Sequence, residues 1–379
     1  MDRAVWWNDD LALFRNSVEG FIARELEPHR ERWRREKVIE HSVWTAMGEM
    51  GMLCPAAPEA YGGSGGSFAH EAVVIDALER LAGELTAAVT VHGAIVSNYL
   101  VAFGTEEQKA KWLPELAAGE LIGAIAMTEP GTGSDLRAIK ARAVQDGDHY
   151  VLNGQKTFIT NGEYADFIIV VANVVEEGTT GLSLLIVDRR QSEGVTSRRL
   201  DKIGMEASDT AELFFDNVRV PRENVLGGVL GLGLKQLMKQ LPYERLGIAV
   251  AAAAAANKAC AIATAYAKER KAFGSAIFDF QNTSFTLAQR HTEAFLARLL
   301  VDHCIGQAMK GELDGVAAAM AKMWTTDQAF ATVSDCLQIH GGYGYMREYE
   351  IGRMLADTRL LKIYGGTNEM MKLIISRTL

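Results

Sequence analysis

Tyr150-Val151-Leu152, Asn153-Gly154 and Lys156-Thr157-Phe158-Ile159-Thr160 read as strand, tight turn and strand, because two short runs with β-branched and aromatic residues flank an Asn-Gly pair. Further short apolar runs at 167–172, 182–187 and 211–215, set off by glycines and charged residues, extend this into a compact β domain over about 121–230. On its N-terminal side the pattern is helical: Leu11, Phe14, Val18, Phe21 and Ile22 recur at three and four and give one helix face. Pro55, Pro58 and the glycine-rich 61–67 break that pattern, which resumes over 70–81, 85–103 and 106–118, so 1–120 reads as a helical domain. On the C-terminal side helix returns near Gly231, with Pro242 expected in a first turn or at a kink. The alanine-rich stretch to Ala267 is a strong helix former, and the six alanines at 251–256 suit a buried helix that its neighbours approach closely. Further helices are expected over 281–310 and 316–338, making 231–379 a second helical domain. The order is helical, β, helical: a mainly α protein with a β domain.

The 379 residues exceed one ordinary core and suit two or three packed domains. Hydrophobic residues at 48% against 23% charged exclude a disordered or fibrous chain. Net charge is −9, which opposes non-specific binding to nucleic acid or anionic membranes. Cys54, Cys260, Cys304 and Cys336 are scattered with no CxxC pair, so buried thiols in a reducing compartment are expected. His92, His291, His303 and His340 show no metal spacing, and no metal site is expected. The longest small apolar run, 248–256, is nine residues, about half a membrane span. Residues 1–10 carry two Trp and three Asp where a secretory signal carries basic then apolar residues, so a cytoplasmic protein is the reading.

Ala126-Met127-Thr128-Glu129-Pro130-Gly131-Thr132-Gly133-Ser134-Asp135 is a loop with exposed backbone amides and hydroxyls that can grip a flat cofactor or a thioester. By spacing alone it is a turn, and it lacks the strand–GxGxxG–helix setting of a dinucleotide fold. Together with Lys156-Thr157-Phe158-Ile159-Thr160-Asn161-Gly162, however, it closely resembles the flavin-binding signature of acyl-CoA dehydrogenases. The resemblance continues through Glu269-Arg270-Lys271-Ala272-Phe273-Gly274, Gln338-Ile339-His340-Gly341-Gly342-Tyr343-Gly344 and Ile363-Tyr364-Gly365-Gly366-Thr367-Asn368-Glu369, in the family's order and over essentially the whole chain.

That resemblance implies an N-terminal helical domain, a middle β-barrel or sandwich domain and a C-terminal four-helix bundle. It implies FAD as cofactor, with Met127, Thr128, Phe158 and Thr160 at the isoalloxazine ring and Ser134 between flavin and substrate. Arg270, Phe273, Gln281, Gln338, Gly341 and Gly342 match residues holding the pyrophosphate and adenosine part, some from a neighbouring subunit, and Thr367 and Glu369 match the last adenosine-side contacts. Tyr243, Arg245 and Gly366 match the substrate side. A homotetramer built from dimers and an electron-transfer flavoprotein as acceptor are implied as well.

The implied reaction removes an α proton from a saturated thioester while the β hydride passes to flavin N5, giving a trans-2-enoyl-CoA. A saturated α C–H is a weak acid and needs a positioned base and a stabilised enolate oxygen. In the commonest family pattern the base precedes Gly-Thr, which here is Gly365, and Gly365 has no side chain. The isovaleryl-type and long-chain-type branches instead carry the base in an x-Glu-Arg-Leu segment opening the long helix, matched here by Tyr243-Glu244-Arg245-Leu246. A lone Glu at a helix start is ordinarily a dipole-stabilised surface charge; coupled with Gly365, the resemblance makes Glu244 the base and leaves Gly365 its backbone N–H as the oxyanion donor. A glutamate placed at 365 in a Glu244→Gly background is expected to restore part of the activity. Three other readings stay open: the same chemistry on a carrier-protein thioester, an oxidase, and a non-catalytic flavin- or DNA-binding relative, which the −9 balance opposes.

Overall fold

The computed structural model describes residues 5–176 and 179–379, so the first four residues of the opening 1–10 segment lie outside the described residues. Seven α-helices come first: α1 (Asp9–Phe21), α2 (Arg30–Glu36), α3 (His41–Glu49), α4 (Phe68–Ala82), α5 (Thr86–Val89), α6 (Ser97–Phe103) and α7 (Glu106–Ala117). Leu11, Val18, Phe21 and Ile22 are buried along one face, as the three-and-four spacing requires. A π-helical segment, Thr90–Val96, joins α5 to α6. Thr105 and Gln108 start α7 with a reciprocal capping box, and Gln108 Nε2 also donates to the carbonyls of Glu223 and Val225.

The middle layer is β1 (Gly123–Ala126), β2 (Arg142–Asp146), β3 (His149–Thr160), β4 (Phe167–Glu176), β5 (Thr179–Asp188), β6 (Val195–Arg199) and β7 (Thr210–Pro221). They form one mixed sheet in which β1 and β2 lie end to end, both parallel to β4, with β5 antiparallel on β4's other edge. The expected turn at Asn153-Gly154 is corrected: β3 runs straight through it, paired to β7, with a register shift between Leu152 and Gly154. Gly154 has φ +152°, and a Cβ there would stand 2.8 Å from Ala141 Cβ, so the glycine serves a bulge beneath a close neighbour strand and not a hairpin.

The helical and β layers share one core. Leu113, Leu116, Leu121, Ile122, Ala124 and Phe167 belong to a single buried cluster spanning 120/121. Fully buried His92 stitches the same junction: its Nδ1 accepts from the Gly123 N–H (3.0 Å), which leaves Nε2 to donate to the Leu116 carbonyl (2.9 Å). Burial drives this imidazole down to about 4, so it is neutral.

The C-terminal part comprises α8 (Gly233–Glu269), a small hairpin of β8 (Lys271–Ala272) and β9 (Ser275–Ala276), α9 (Gln281–Met309), α10 (Gly315–His340), α11 (Glu350–Leu361) and α12 (Asn368–Ser376). α8 packs on α9, α10 and α11, with Ala251–Ala256 at the centre, each at most 2% exposed. Helix α8 runs on through Pro242, which lies inside it and not in its first turn. Two helical stretches, Phe68–Phe103 and Gly233–Glu269, are long and apolar enough to cross a membrane by length and composition, although 248–256 alone is not; 61% and 78% of their most apolar windows are buried inside the protein. An ionic cluster docks the N-terminal layer on the bundle: Arg30 pairs with Glu84 and Glu350, and Lys258 also reaches Glu350 (2.7 Å). Burial pushes Glu350 up, but Lys258 and Arg30 outweigh it and hold it at about 2. All four cysteines are free and buried.

Candidate active site

Glu244 lies on α8 facing α6, and only 8% of it is exposed. The Tyr99 hydroxyl donates to its Oε1 at 2.8 Å. Burial pushes the Glu244 carboxyl up to about 7, against the opposing pull of the Tyr99 hydrogen bond and the Arg245 charge. Burial, reinforced by the Glu244 charge, keeps Tyr99 protonated well above the ordinary phenol range, so it stays a donor. The site thus holds a carboxylate poised near neutrality, the range in which a general base is most effective. Its sign is testable: only the ionised carboxylate accepts a proton, so kcat/KM is expected to rise through a single ionisation near pH 7 and to plateau above it. Tyr99→Phe removes a donor to the ionised form and should move that ionisation upward. A flat profile between pH 5 and 8 would contradict the assignment.

Gly365 is brought against the same stretch of α8. Arg245 Nε donates to its carbonyl (3.3 Å), and among the described residues its N–H finds no acceptor. The turn therefore lies against α8 at Arg245 and Ile248, next in the chain to the buried Glu244, with an N–H free to donate. The Gly365 backbone is left-handed, φ +64°, and a Cβ would stand 2.4 Å from Ile248 Cδ1. The rescue expected from a glutamate at 365 is opposed by this geometry: the backbone is left-handed, and Ile248 Cδ1 would have to move aside. Gly365→Glu in a Glu244→Gly background is expected to stay inactive, and shortening Ile248 to Val is the change that should admit the new carboxylate.

Beneath this turn lies a buried polar network absent from the sequence reading. Lys322, fully buried on α10, donates to the Gly366 carbonyl (2.8 Å) and to Asn368 Oδ1 (2.9 Å), while Asn368 Nδ2 donates to Thr326 and Asp327. Burial, then the Arg245 charge, lowers the Lys322 ammonium to about 7. Thr367 caps α12, its hydroxyl accepting from the Met370 N–H, and Glu369 stands exposed in the first turn. Tyr243 packs its ring on Phe68, centroids 6.1 Å apart, beside Glu244 in sequence and on the side of α4.

The loop after β1 is stitched to β3. Lys156, fully buried, donates to the Met127 carbonyl and to Glu129 Oε1 (both 2.9 Å), and the Thr157 N–H donates to the Thr128 carbonyl (2.9 Å). Glu129 also accepts from the backbone of Lys140 and Ala141. Burial pushes Glu129 up, but these donors outweigh it and its carboxyl is held below the usual range. The stitching ties Met127 and Thr128 to β3, the strand that carries Phe158 and Thr160, and Ser134 is exposed on the same loop. Phe158 is 70% exposed at φ +60°, an apolar ring left in solvent on a backbone conformation that phenylalanine rarely adopts.

The remaining residues gather elsewhere. Arg270 stacks over the Tyr343 ring at 5.6 Å, and Phe273, 97% exposed, meets Phe280 edge to face. Gln281, Gln338, Gly341 and Gly342 are exposed near them, at the start of α9 and the end of α10. Tyr266 stacked on His340 (4.2 Å) holds these helix ends together. Glu244 and Arg270 are separated by most of α8, about 39 Å at 1.5 Å per residue. The two groups of residues therefore lie apart along the longest helix, one about a third of the way along it and the other at its C-terminal end.

Sequence models of the acyl-CoA dehydrogenase N-terminal, middle and C-terminal domains match residues 8–120, 124–218 and 231–379. The chain belongs to the acyl-CoA dehydrogenase family. It is an enzyme of that family by relatives as well as by domain matches. The long-chain specific acyl-CoA dehydrogenase of Sus scrofa mitochondria is 40% identical over 369 residues, covering 96% of this chain and 85% of that protein. The acyl-CoA dehydrogenase of Geobacillus kaustophilus superposes with a TM-score of 0.96 at 44% identity, covering 99% of both chains. An acyl-CoA dehydrogenase from Bacillus anthracis, complexed with FAD, superposes with a TM-score of 0.92 at 32% identity, covering 98% of this chain and 67% of that one.

Proposed function

We propose that the protein is an FAD-dependent dehydrogenase of saturated acyl-CoA thioesters, forming the trans-2-enoyl-CoA, with Glu244 as base. The observation that carries this is the pairing of a buried carboxylate poised near pH 7 with the open Gly365 N–H on the turn that Arg245 and Lys322 hold. Glu244 takes the α proton, and the Gly365 N–H donates to the thioester oxygen as it gains charge; a donor of this kind is worth roughly 3 kcal/mol in the transition state. FAD, when bound, accepts the β hydride.

The residues present fit that group. An exposed Phe158 ring offers an apolar face, Thr160 on the same strand and Thr128 on the loop stitched to it would offer hydroxyls, and the Lys156–Glu129 pair fixes the loop that carries Met127. Since Arg270, Phe273, Gln281, Gln338, Gly341 and Gly342 lie at the far end of α8, we assign them to the cofactor of a second copy, in a homotetramer built from dimers. Electrons then leave to an electron-transfer flavoprotein in the cytoplasm.

Anaerobic absorbance of the holoenzyme with short, medium, long and branched saturated acyl-CoAs tests the reading. Flavin bleaching that peaks for one chain class supports it. A yellow protein that no CoA thioester bleaches, but a carrier-bound acyl thioester does, would move the activity to carrier substrates.

A further inference from the structure

Lys322 is fully buried on α10, yet its ammonium donates only to neutral oxygens, the Gly366 carbonyl at 2.8 Å and Asn368 Oδ1 at 2.9 Å, and among the described residues it has no carboxylate partner. Burial and then the charge of Arg245, itself buried, both work against the ammonium. Taking a cation out of water without a counter-charge is costly, and an apolar side chain of the same length would fill the slot without that cost. Stability therefore gives no reason for a lysine here, and its two contacts do.

Both contacts fasten one turn. Gly365 and Gly366 follow one another at φ +64° and +93°, and two glycines in the left-handed region reorient their peptide planes readily unless something holds them. Each carbonyl is held by a different cation from a different helix: Arg245 Nε of α8 donates to that of Gly365 (3.3 Å), and Lys322 of α10 to that of Gly366. Arg245 Nη2 also stands 3.8 Å from the place of a Cβ on Gly366, so the guanidinium lies along both residues. Asn368 closes the turn. Its N–H donates to the Lys362 carbonyl (3.1 Å) and its Nδ2 to Asp327 Oδ1 (3.0 Å), the oxygen that Lys362 Nζ also meets (2.7 Å). The segment 362–368 is thus pinned at its ends and at both glycine carbonyls, while the Gly365 N–H has no acceptor among the described residues.

We propose that Lys322 is a positioning residue for the dehydrogenation: by fixing the Gly366 carbonyl it keeps the Gly365 N–H aimed at the thioester oxygen, and the inference rests on the reading of that N–H as the oxyanion donor. Such a donor is effective because it is oriented before charge develops on the oxygen. A misplacement of about 1 Å, caused by a change away from the chemistry, can cost about 10²-fold in rate. Burial, Tyr99 and Arg245 set the Glu244 carboxyl, and Lys322 has no part in it. Removing the ammonium should therefore spare the base and spoil the donor.

The test uses holoenzyme and a 3-oxoacyl-CoA, an ester whose α C–H is acidic enough to ionise reversibly in the site and whose enolate is read by difference absorbance. In Lys322→Met the pH midpoint of that ionisation is expected to rise by about one to two units, ten- to a hundredfold in the ionisation constant. The kcat for saturated acyl-CoAs should fall by about 10²-fold, with KM changed far less. Lys322→Gln, polar but one atom shorter, should move the midpoint the same way and serves if the methionine variant does not fold. Thr326→Val is the packing control: it removes a hydroxyl that donates to Asn368 Oδ1 (3.2 Å) and leaves both carbonyl contacts, so it should lower Tm and leave the midpoint alone. A midpoint unmoved in the Lys322 variants, or moved equally by Thr326→Val, would overturn the inference and leave the dehydrogenase intact. Failure of wild type to ionise the bound ester at any pH would remove the oxyanion reading beneath it.

Discussion

Replacing Glu244 with Gln is expected to lower the rate of flavin reduction by acyl-CoA by about 10²–10⁴-fold, the usual worth of a positioned general base. The protein should stay folded and yellow. Gln keeps the shape and still offers an oxygen to the Tyr99 hydroxyl that donates to Glu244 at 2.8 Å. It also removes a carboxyl whose folded-state value is raised to about 7 by burial. Such a group is neutral in both states below its ordinary range and becomes a buried charge in the native state as pH rises through 7, so stability is lost upward, not downward. Glu244→Gln should therefore match wild type in Tm near pH 4 and exceed it near pH 8, while activity collapses at every pH. A variant that reduces its flavin at a near-normal rate would refute the base assignment. A variant that merely unfolds would show as a lowered Tm.

The second large effect is on stability. Glu129→Ala is expected to cost about 3–5 kcal/mol, because it strips the partner from a fully buried Lys156. It also orphans the backbone N–H groups of Lys140 and Ala141, which donate to Glu129 at 2.7 and 2.8 Å. Burial already lowers the Lys156 ammonium despite its partner; without Glu129 the residue should titrate toward neutrality and the loop over 126–135 should loosen from β3. Urea unfolding gives the loss in stability, and the FAD retained after gel filtration gives the loss of the loop. Lys156→Met is the informative contrast. It leaves Glu129 with its two backbone donors and an apolar side chain of similar length in the slot, so it should cost less than Glu129→Ala.

How far the chain could be read before its structure depended on whether a residue's partner lies nearby in sequence. Helical faces such as Leu11, Val18, Phe21 and Ile22 are local periodicities, and the structure buries them together. Asn153-Gly154 misled because Asn-Gly announces a turn, whereas the close approach of Ala141, just before β2, turns the same glycine into a bulge. Pro242 suggested a first helical turn or a kink, and it lies inside α8, which packs on α4, α9, α10 and α11. Long-range partners were invisible. Tyr99 reads as one more apolar position of a helix, and its hydroxyl meets Glu244 145 residues later. Lys322 has no partner nearby in sequence, and it reaches across 44 residues to hold the Gly366 carbonyl. Lys156 was hidden for the same reason. A lysine spaced among alanines, as at 322, is the one local signal that could have marked such a residue, since a charge on an otherwise apolar face needs a partner. Glu244 and Gly365 were singled out only through family resemblance, and their juxtaposition is a property of the folded chain.

The most direct test of Glu244 separates proton removal from oxidation. An acyl-CoA with sulfur in place of its β carbon has an acidic α C–H but no β hydride to give. Incubated with holoenzyme in D₂O and followed by proton NMR, its α protons should exchange for deuterium with wild type, with a rate that rises through an ionisation near pH 7. With Glu244→Gln, exchange should fall to the background rate although the ester still raises Tm. Equal exchange by the two proteins would contradict the account, for it would mean that another group in the pocket removes the proton.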